Sequence, residues 1–232
     1  MTKTIQTISE CRKLIRKVNE QIRKANESGE YTYADAEREG KIKKYPDGSI
    51  DCNKLGLTSL EGAPKEVEGD FICSYNNLAS LEGAPEKVGG GFWCGHNKLT
   101  SLEGAPEKVG GDFNCFYNSL ASLKGAPEYI EGTFICSSNY LTSLEGAPEY
   151  VEGNFSCANN KLTSLEGAPK YVRGDFFCYN NKLTSLEGAP KVVDGDFICY
   201  DNKFTSLEGA PEKVEADLRK ISNIKGEIYM YI

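Results

Sequence analysis

The sequence predicts a mainly β protein, a right-handed solenoid with one parallel strand per 21-residue repeat and a helical cap at its N-terminal end. Three observations lead there. The block LTSLEGAP, or a near variant, begins at Leu57, Leu78, Leu99, Leu120, Leu141, Leu162, Leu183 and Phe204, always 21 residues after the last, with no insertion or deletion. A fixed period of this size means stacked units that contact only their neighbours. Within each unit a Phe and a Cys stand two apart, as in Phe176-Phe177-Cys178, the spacing of a strand that turns both to one side. Each unit also carries Gly and Pro ahead of that strand. Pro removes a backbone donor and Gly weakens a helix, so extended or polyproline-like backbone is expected there. The few apolar residues of one unit cannot offset the entropy of ordering it, so several units must stack and both ends must be covered.

Taken in order, residues 1–30 read as a helix. Ile8, Cys11, Ile15, Val18, Ile22 and Ala25 alternate in three- and four-residue steps, an apolar seam that covers the first coil or packs on a second copy. Thr7 and Glu10 have capping-box spacing, and Gly29 is a fitting terminator. The basic residues Arg12, Lys13, Arg16, Lys17, Arg23 and Lys24 read as a solvated face. Tyr31 to Gly40 suggests a second short helix with Thr32 as N-cap. Lys41 to Gly48 reads as a hairpin turning at Pro46-Asp47-Gly48. Ile50 and Cys52 then sit one period before Phe71 and Cys73 and make a degenerate first strand. Phe-x-Cys strands follow as far as Phe197-Ile198-Cys199, each trailed by an Asn such as Asn181, whose amide can satisfy backbone groups left unpaired by a bend. At the next position Leu218 and Lys220 replace Phe and Cys, and a charge at a core position ends the stack. The tail from Gly226 to Ile232 alternates like a strand and suits protection of the last edge. The chain thus divides into a helical cap (1–44), the solenoid (45–217) and a C-terminal cap (218–232).

Read along Phe71-x-Cys73-x-x-Asn76-x-Leu78, the unit resembles the leucine-rich repeat, matching the second half of L-x-x-L-x-L-x-x-N/C-x-L at every position. It departs in two ways. Phe and Cys replace the strand leucines, and Val67 lies four residues before Phe71 where the pattern has three. The short period is similar to the bacterial and bacteriophage varieties, in which SLEGAP-type units stack. The resemblance implies a leucine-rich-repeat solenoid and protein–protein binding as its role. Its bacteriophage branch implies a host protein as target, such as a defence or nuclease complex that binding would inhibit.

The formal charge of −7 is unevenly placed. Residues 1–44 hold 11 Lys and Arg against 7 Asp and Glu, a net of +4, and residues 45–232 hold 16 against 27, a net of −11. An acidic solenoid disfavours direct nucleic-acid binding and suits a protein partner with a basic surface. No apolar run is long enough for a membrane span, and the opening MTKTIQTISECRKLIRK has no signal-peptide core, so a cytoplasmic, membrane-free protein is expected. Cys52, Cys73, Cys94, Cys115, Cys136, Cys157, Cys178 and Cys199 fall in one column. They read as a ladder of small buried hydrophobes, because neighbouring rungs about 4.8 Å apart do not readily form disulfides. No CxxC is present and the single histidine, His96, lies outside that column, so neither a metal nor another cofactor is expected.

In a repeat protein the positions that vary between copies are those free to specialise. Strand alternation turns the residues flanking Phe and Cys outward, onto the inner curve. Two clusters emerge as candidate protein-binding residues: Ile72, Tyr75, Trp93, His96, Phe116 and Tyr117, then Phe177, Tyr179, Ile198 and Tyr200. Asp112, Asp175 and Asp196 add negative charge along the same face. Exposed aromatic groups of this kind serve as interface anchors, although strand propensity alone also favours aromatics. A second outward column, Tyr129, Tyr150, Tyr171 and Val192 with Lys87, Lys108 and Lys213, reads as a structural strip or a second binding edge. No acid pair, phosphate-binding loop or metal motif accompanies these residues, so no catalytic residue is assigned. The expected function is a non-enzymatic protein-binding module. The alternative is a structural subunit, with homodimerisation through the N-terminal helix or stacking of coil ends.

Overall fold

The computed structural model describes residues 29–214. The N-terminal seam helix, the stack-ending Leu218 and Lys220, and the terminal strand expected from the sequence lie outside the described residues.

The expected short helix is present as α1 (Tyr33–Arg38), and Thr32 caps it in a reciprocal box with Asp35. The buried Tyr33 and Ala36 of α1 cover the first coil, where the Tyr33 ring stacks on Phe71 at 6.2 Å. A hairpin follows: β1 (Lys43–Lys44) runs antiparallel to β2 (Ile50–Asp51), and the Gly48 N–H donates to the Tyr45 carbonyl across the turn at 3.0 Å. Strand β2 pairs in parallel with Phe71–Ile72 and so starts the stack as the degenerate first strand.

From there the chain is a parallel-strand β-solenoid. Taking a coil to begin at each of the recurring leucines, coil one is 57–77 and coil seven is 183–203. The Phe strands run from Phe71–Ile72 to Phe197–Ile198 and join β1 and β2 in one nine-stranded sheet, each Phe in register with the Phe of the next coil. Their rings form a continuous core column with centroids 5.1–5.9 Å apart. Leucines and cysteines fill the rest of the interior, both fully buried in almost every coil. All eight column cysteines are free thiols, as expected of small core residues.

The side of the coil carrying Gly and Pro is not helical. It is a tight turn followed by a second two-residue strand, an addition to the strand read from the sequence. In coil six the Ala168 N–H donates to the Leu165 carbonyl at 2.9 Å, and Gly167 between them sits at φ +85°. Only glycine suits this position: a Cβ would stand 2.6 Å from backbone atoms of the preceding coil. The second strands, such as Tyr150–Val151 and Tyr171–Val172, bury Val and expose their first residue. They pair from coil to coil along a second side.

The asparagine after each Phe strand holds neighbouring coils together. Asn139 accepts the Leu120 N–H at 3.0 Å, and its amide donates to the carbonyls of Cys115 and Cys136 at 3.2 and 3.1 Å. The same arrangement recurs at Asn76, Asn97, Asn118, Asn160, Asn181 and Asn202.

Two stability tests follow from these columns. Asn139→Ala strands one buried N–H and two carbonyls, so urea denaturation should show a loss of about 3 kcal/mol. Burial also pushes the thiols up, Cys52 from 9.0 to about 12 and Cys73, Cys94 and Cys136 well above 9.0. Above pH 9 the unfolded chain therefore ionises thiols that the folded chain keeps protonated. Stability should hold up to about pH 9 and fall as pH rises beyond it. Urea midpoints measured under reducing conditions should show that fall, and Cys115→Ala should make it shallower.

Candidate functional site

The outward residues of the long sheet fall into two geometrical classes that the sequence reading had merged. Ile72, Trp93, Phe177 and Ile198 do lie in the strands, opposite in sense to the core Phe, and are half-buried. Ile72 is in register with Trp93, and Phe177 with Ile198. Tyr75, His96 and Tyr117 lie beyond the strand, in the bend that precedes each core Asn, with left-handed backbone at φ 56°, 54° and 54°. Strand propensity therefore does not account for them.

This left-handed position recurs down the whole stack as Lys54, Tyr75, His96, Tyr117, Ser138, Asn159, Asn180 and Asp201. Asn and Asp tolerate such a backbone because their short polar side chains bond locally, whereas other side chains cost about 1 kcal/mol there. Coils five to seven carry Asn159, Asn180 and Asp201; coils one to three carry rings instead. Those rings stack, Tyr75 on His96 at 4.2 Å and His96 on Tyr117 at 4.8 Å, with Phe116 edge-on to His96 at 5.2 Å. Lys54 stands over the outer face of Tyr75 at 5.2 Å. Tyr75 and Tyr117 are 51% and 58% exposed, so the stack is built on the surface rather than in the core.

Trp93 requires its own accommodation. The column before the Phe strand is Asp70, Gly91, Asp112, Thr133, Asn154, Asp175, Asp196, and the glycine sits directly before the tryptophan strand. A Cβ at Gly91 would lie 2.6 Å from Trp93 Nε1, so the indole folds across the space that the missing side chain leaves. Its N–H is buried there without a hydrogen-bond partner.

The other members of that column have a structural task. Asp112 accepts the Thr133 N–H at 2.7 Å and Asp175 accepts the Asp196 N–H at 2.8 Å, as Asp70 does for Gly91. One carboxylate oxygen of Asp112 and of Asp175 is thus committed to the neighbouring coil's backbone, a role the sequence reading did not foresee.

The second cluster is smaller. Tyr179 stacks on Tyr200 at 4.6 Å beside Phe177 and Ile198. Between the clusters, coils four and five present half-buried Ile135 and otherwise small residues, with Ser137 and Ala158 buried and Ser137 Oγ 2.6 Å from Ser156 Oγ. Phe116 and Phe177 stand about three coil steps apart, roughly 14 Å. The face is therefore a saddle with an aromatic wall at each end. Tyr140, 53% exposed beneath the Lys161 ammonium at 4.3 Å, flanks the saddle and was not singled out by sequence reasoning.

The second side holds a discontinuity that periodicity hid. Its strands form a three-stranded sheet from Glu66–Val67 to Lys108–Val109 and a five-stranded sheet from Tyr129–Ile130 onward, with no pairing between them. The long sheet crosses the same junction unbroken, Phe113 in register with Phe134. Coils three and four thus lose strand pairing on this side only, and a recess of about 920 Å³ lined by coils two to four lies over the junction. In the sequence the junction coincides with Tyr129 after Lys87 and Lys108, and with Ile130 in a column of valines. The exposed Tyr150 and Tyr171 stack at 5.5 Å beyond it.

Among the described residues no helix is long and apolar enough to cross a membrane, and no cluster of three His, Cys, Asp or Glu side chains is placed to hold a metal ion. The chain matches no protein-family model, no curated protein and no solved structure.

Amide hydrogen exchange should report the discontinuity. The Glu149 and Glu152 N–H groups donate to the preceding coil at 2.8 and 3.0 Å, whereas their counterparts Glu128 and Glu131 sit at the unpaired junction. Exchange at Glu128 and Glu131 should be about tenfold or more faster than at Glu149 and Glu152.

Proposed function

We propose that this protein is a non-enzymatic binding module that grips a partner protein across the saddle of its long sheet. The Tyr75–His96–Tyr117 stack, with Phe116 and Trp93, anchors one end of the contact; Phe177, Tyr179 and Tyr200 anchor the other. One observation carries the reading. At a left-handed position where coils five and six carry Asn, coils one to three hold rings, with Tyr75 and Tyr117 exposed and His96 half-buried between them. Solvent-facing rings on a strained backbone gain little in the isolated fold, while rings of this kind are the usual hot-spot anchors of interfaces.

The shape and charge of the face narrow the partner. Roughly 14 Å separates the backbones that carry the aromatic walls, and less the thickness of the rings this leaves room for a protruding loop or an extended segment. The net charge of −11 over residues 45–232 favours a basic partner surface. The resemblance of the coil to the leucine-rich repeat supports protein binding as the role, and inhibition of a host complex is its narrower form.

The test uses residues that the chain itself employs. The triple variant Tyr75→Asn/His96→Asn/Tyr117→Asn loses the stack and relieves the backbone, two effects of similar size, so its unfolding free energy should change by no more than about 1 kcal/mol. Affinity capture from lysate with wild type beside this variant should show a protein retained by the first and lost by the second. A large loss of stability would make the rings structural and sink the reading. Capture by both would place the contact elsewhere, and a multimeric mass with no captured partner would favour a structural subunit.

A further inference from the structure

We infer that the cleft between coils three and four is a second binding site, which takes the lysine or arginine side chain of a basic peptide segment from a partner protein. It lies on the second side of the solenoid, and it stands independently of the reading of the saddle.

The cleft is a departure from an otherwise regular pattern. Every other pair of adjacent coils from coil one onward closes its second strands by parallel pairing. Failure to pair at one junction forgoes backbone hydrogen bonds that the other junctions make. The junction is too narrow to take an inserted strand, so only a side chain can enter the recess over it. Cα atoms of Lys108–Val109 and Tyr129–Ile130 still approach within 8 Å, whereas an inserted strand needs about 9.6 Å between its two neighbours.

The lining selects a cation. Pro106, Pro127 and Val109 form apolar walls, and Glu107, Glu128 and Glu131 surround the opening. Elsewhere on this side acidic and basic groups are matched one coil apart, Lys65 with Glu86, Lys87 with Glu66, Lys170 with Glu149 and Arg173 with Glu152, and at the junction itself only the turn beside the cleft is bridged, by Lys124 with Glu103. Among the described residues no basic group is within ion-pair distance of Glu107, Glu128 or Glu131. Of the two lysines on the lining, Lys87 is engaged by Glu66 at 2.5 Å, which leaves Lys108 against three carboxylates. An anion is disfavoured by that balance. An uncharged apolar ligand would strip water from carboxylates and give nothing back.

Tyr129 completes the site. Its ring is 47% exposed on the lining, a face for a guanidinium or ammonium to lie against. Glu152, which Arg173 pins at 2.8 Å, lies close enough to act electrostatically on the Tyr129 phenol. From the cleft, the exposed Tyr150 and Tyr171 continue along the same face and offer the rest of an extended segment an apolar track.

Fluorescence anisotropy on the full chain tests this with a fluorescein-labelled Arg-Gly repeat peptide and its citrulline counterpart, which has the same shape without the charge. The arginine peptide should bind and the citrulline peptide should not. Tyr129→Val, which copies Val192 of the same column, combined with Glu128→Gln/Glu131→Gln should weaken binding about tenfold. Glu187→Gln/Glu208→Gln removes two charges at exposed turns of distant coils and should leave affinity within about twofold. The Tyr75→Asn/His96→Asn/Tyr117→Asn variant should bind as wild type does, which separates this site from the saddle. No binding, equal binding of the citrulline peptide, or equal loss in the two glutamate variants would overturn the inference. Loss in the Asn variant would do so as well, by moving the peptide to the saddle. Urea denaturation of the cleft variant guards against misfolding, and Glu128→Gln alone, conservative and exposed, should still weaken binding measurably if the site is real.

Discussion

One carboxamide per coil binds three stretches of backbone that would otherwise be left unpaired inside the molecule. The asparagine that follows each Phe strand reaches carbonyls of its own coil and of the coil before, and it accepts an N–H from the start of its own coil's leucine run. A bend buried without these bonds would carry unsatisfied polar groups at about 1–3 kcal/mol each. The amide also fixes the coil length, since adding or removing a residue between Cys and Asn would move its donors off both carbonyls. The unvarying 21-residue period follows from this constraint together with the Phe column. Phe stacks on Phe, Cys on Cys and Leu on Leu, and none can change size without straining the coils above and below.

With the interior fixed in this way, specialisation is confined to the surface, and there the stack divides. The left-handed column carries rings in coils one to three and then Ser, Asn, Asn and Asp. On the other side the outward residue of the second strand is Glu or Lys in coils one to three and becomes Tyr in coils four to six. The second sheet breaks at the same junction. The second side therefore gains exposed rings where the stack loosens, while the long sheet still carries aromatic residues in coils six and seven.

The architecture was legible because it rests on residues that repeat. The two-residue spacing of Phe and Cys, the inward Asn, the thiol ladder, the N-cap at Thr32 and the turn at Pro46-Asp47-Gly48 each have a local physical cause. The geometry of the site was less legible, because it rests on exceptions. A Phe-x-Cys pattern suggests that alternation continues past Cys, so Tyr75 and Tyr117 read as strand residues, and nothing local to them signals the left-handed bend. The recurrence of Asn and Asp at 159, 180 and 201 was the available clue, since these tolerate that backbone best. Asp112 and Asp175 read as surface charge because a hydrogen bond to a residue one period away has no signature in single-coil chemistry. The cleft was marked only by Ile130 among valines and by the change from Lys to Tyr at 129, differences too small to imply a broken sheet.

A solenoid is well suited to carry such exceptions. In a globular core a strained residue draws on the stability of the whole domain, whereas here each coil depends on its two neighbours and total stability accumulates along the stack. Left-handed rings at about 1 kcal/mol each, and one buried indole N–H without a partner, are local costs that flanking coils of regular composition absorb. The substitution of glycine beside Trp93 shows the accommodation at residue level: the carboxylate that would tie that coil to the next is absent, and the indole occupies its place. Asp70 still binds the Gly91 N–H from the other side, so the coil stays registered although its own link forward is missing. Stability held in redundant neighbour contacts is what allows this chain to place its least favourable residues on its most exposed face.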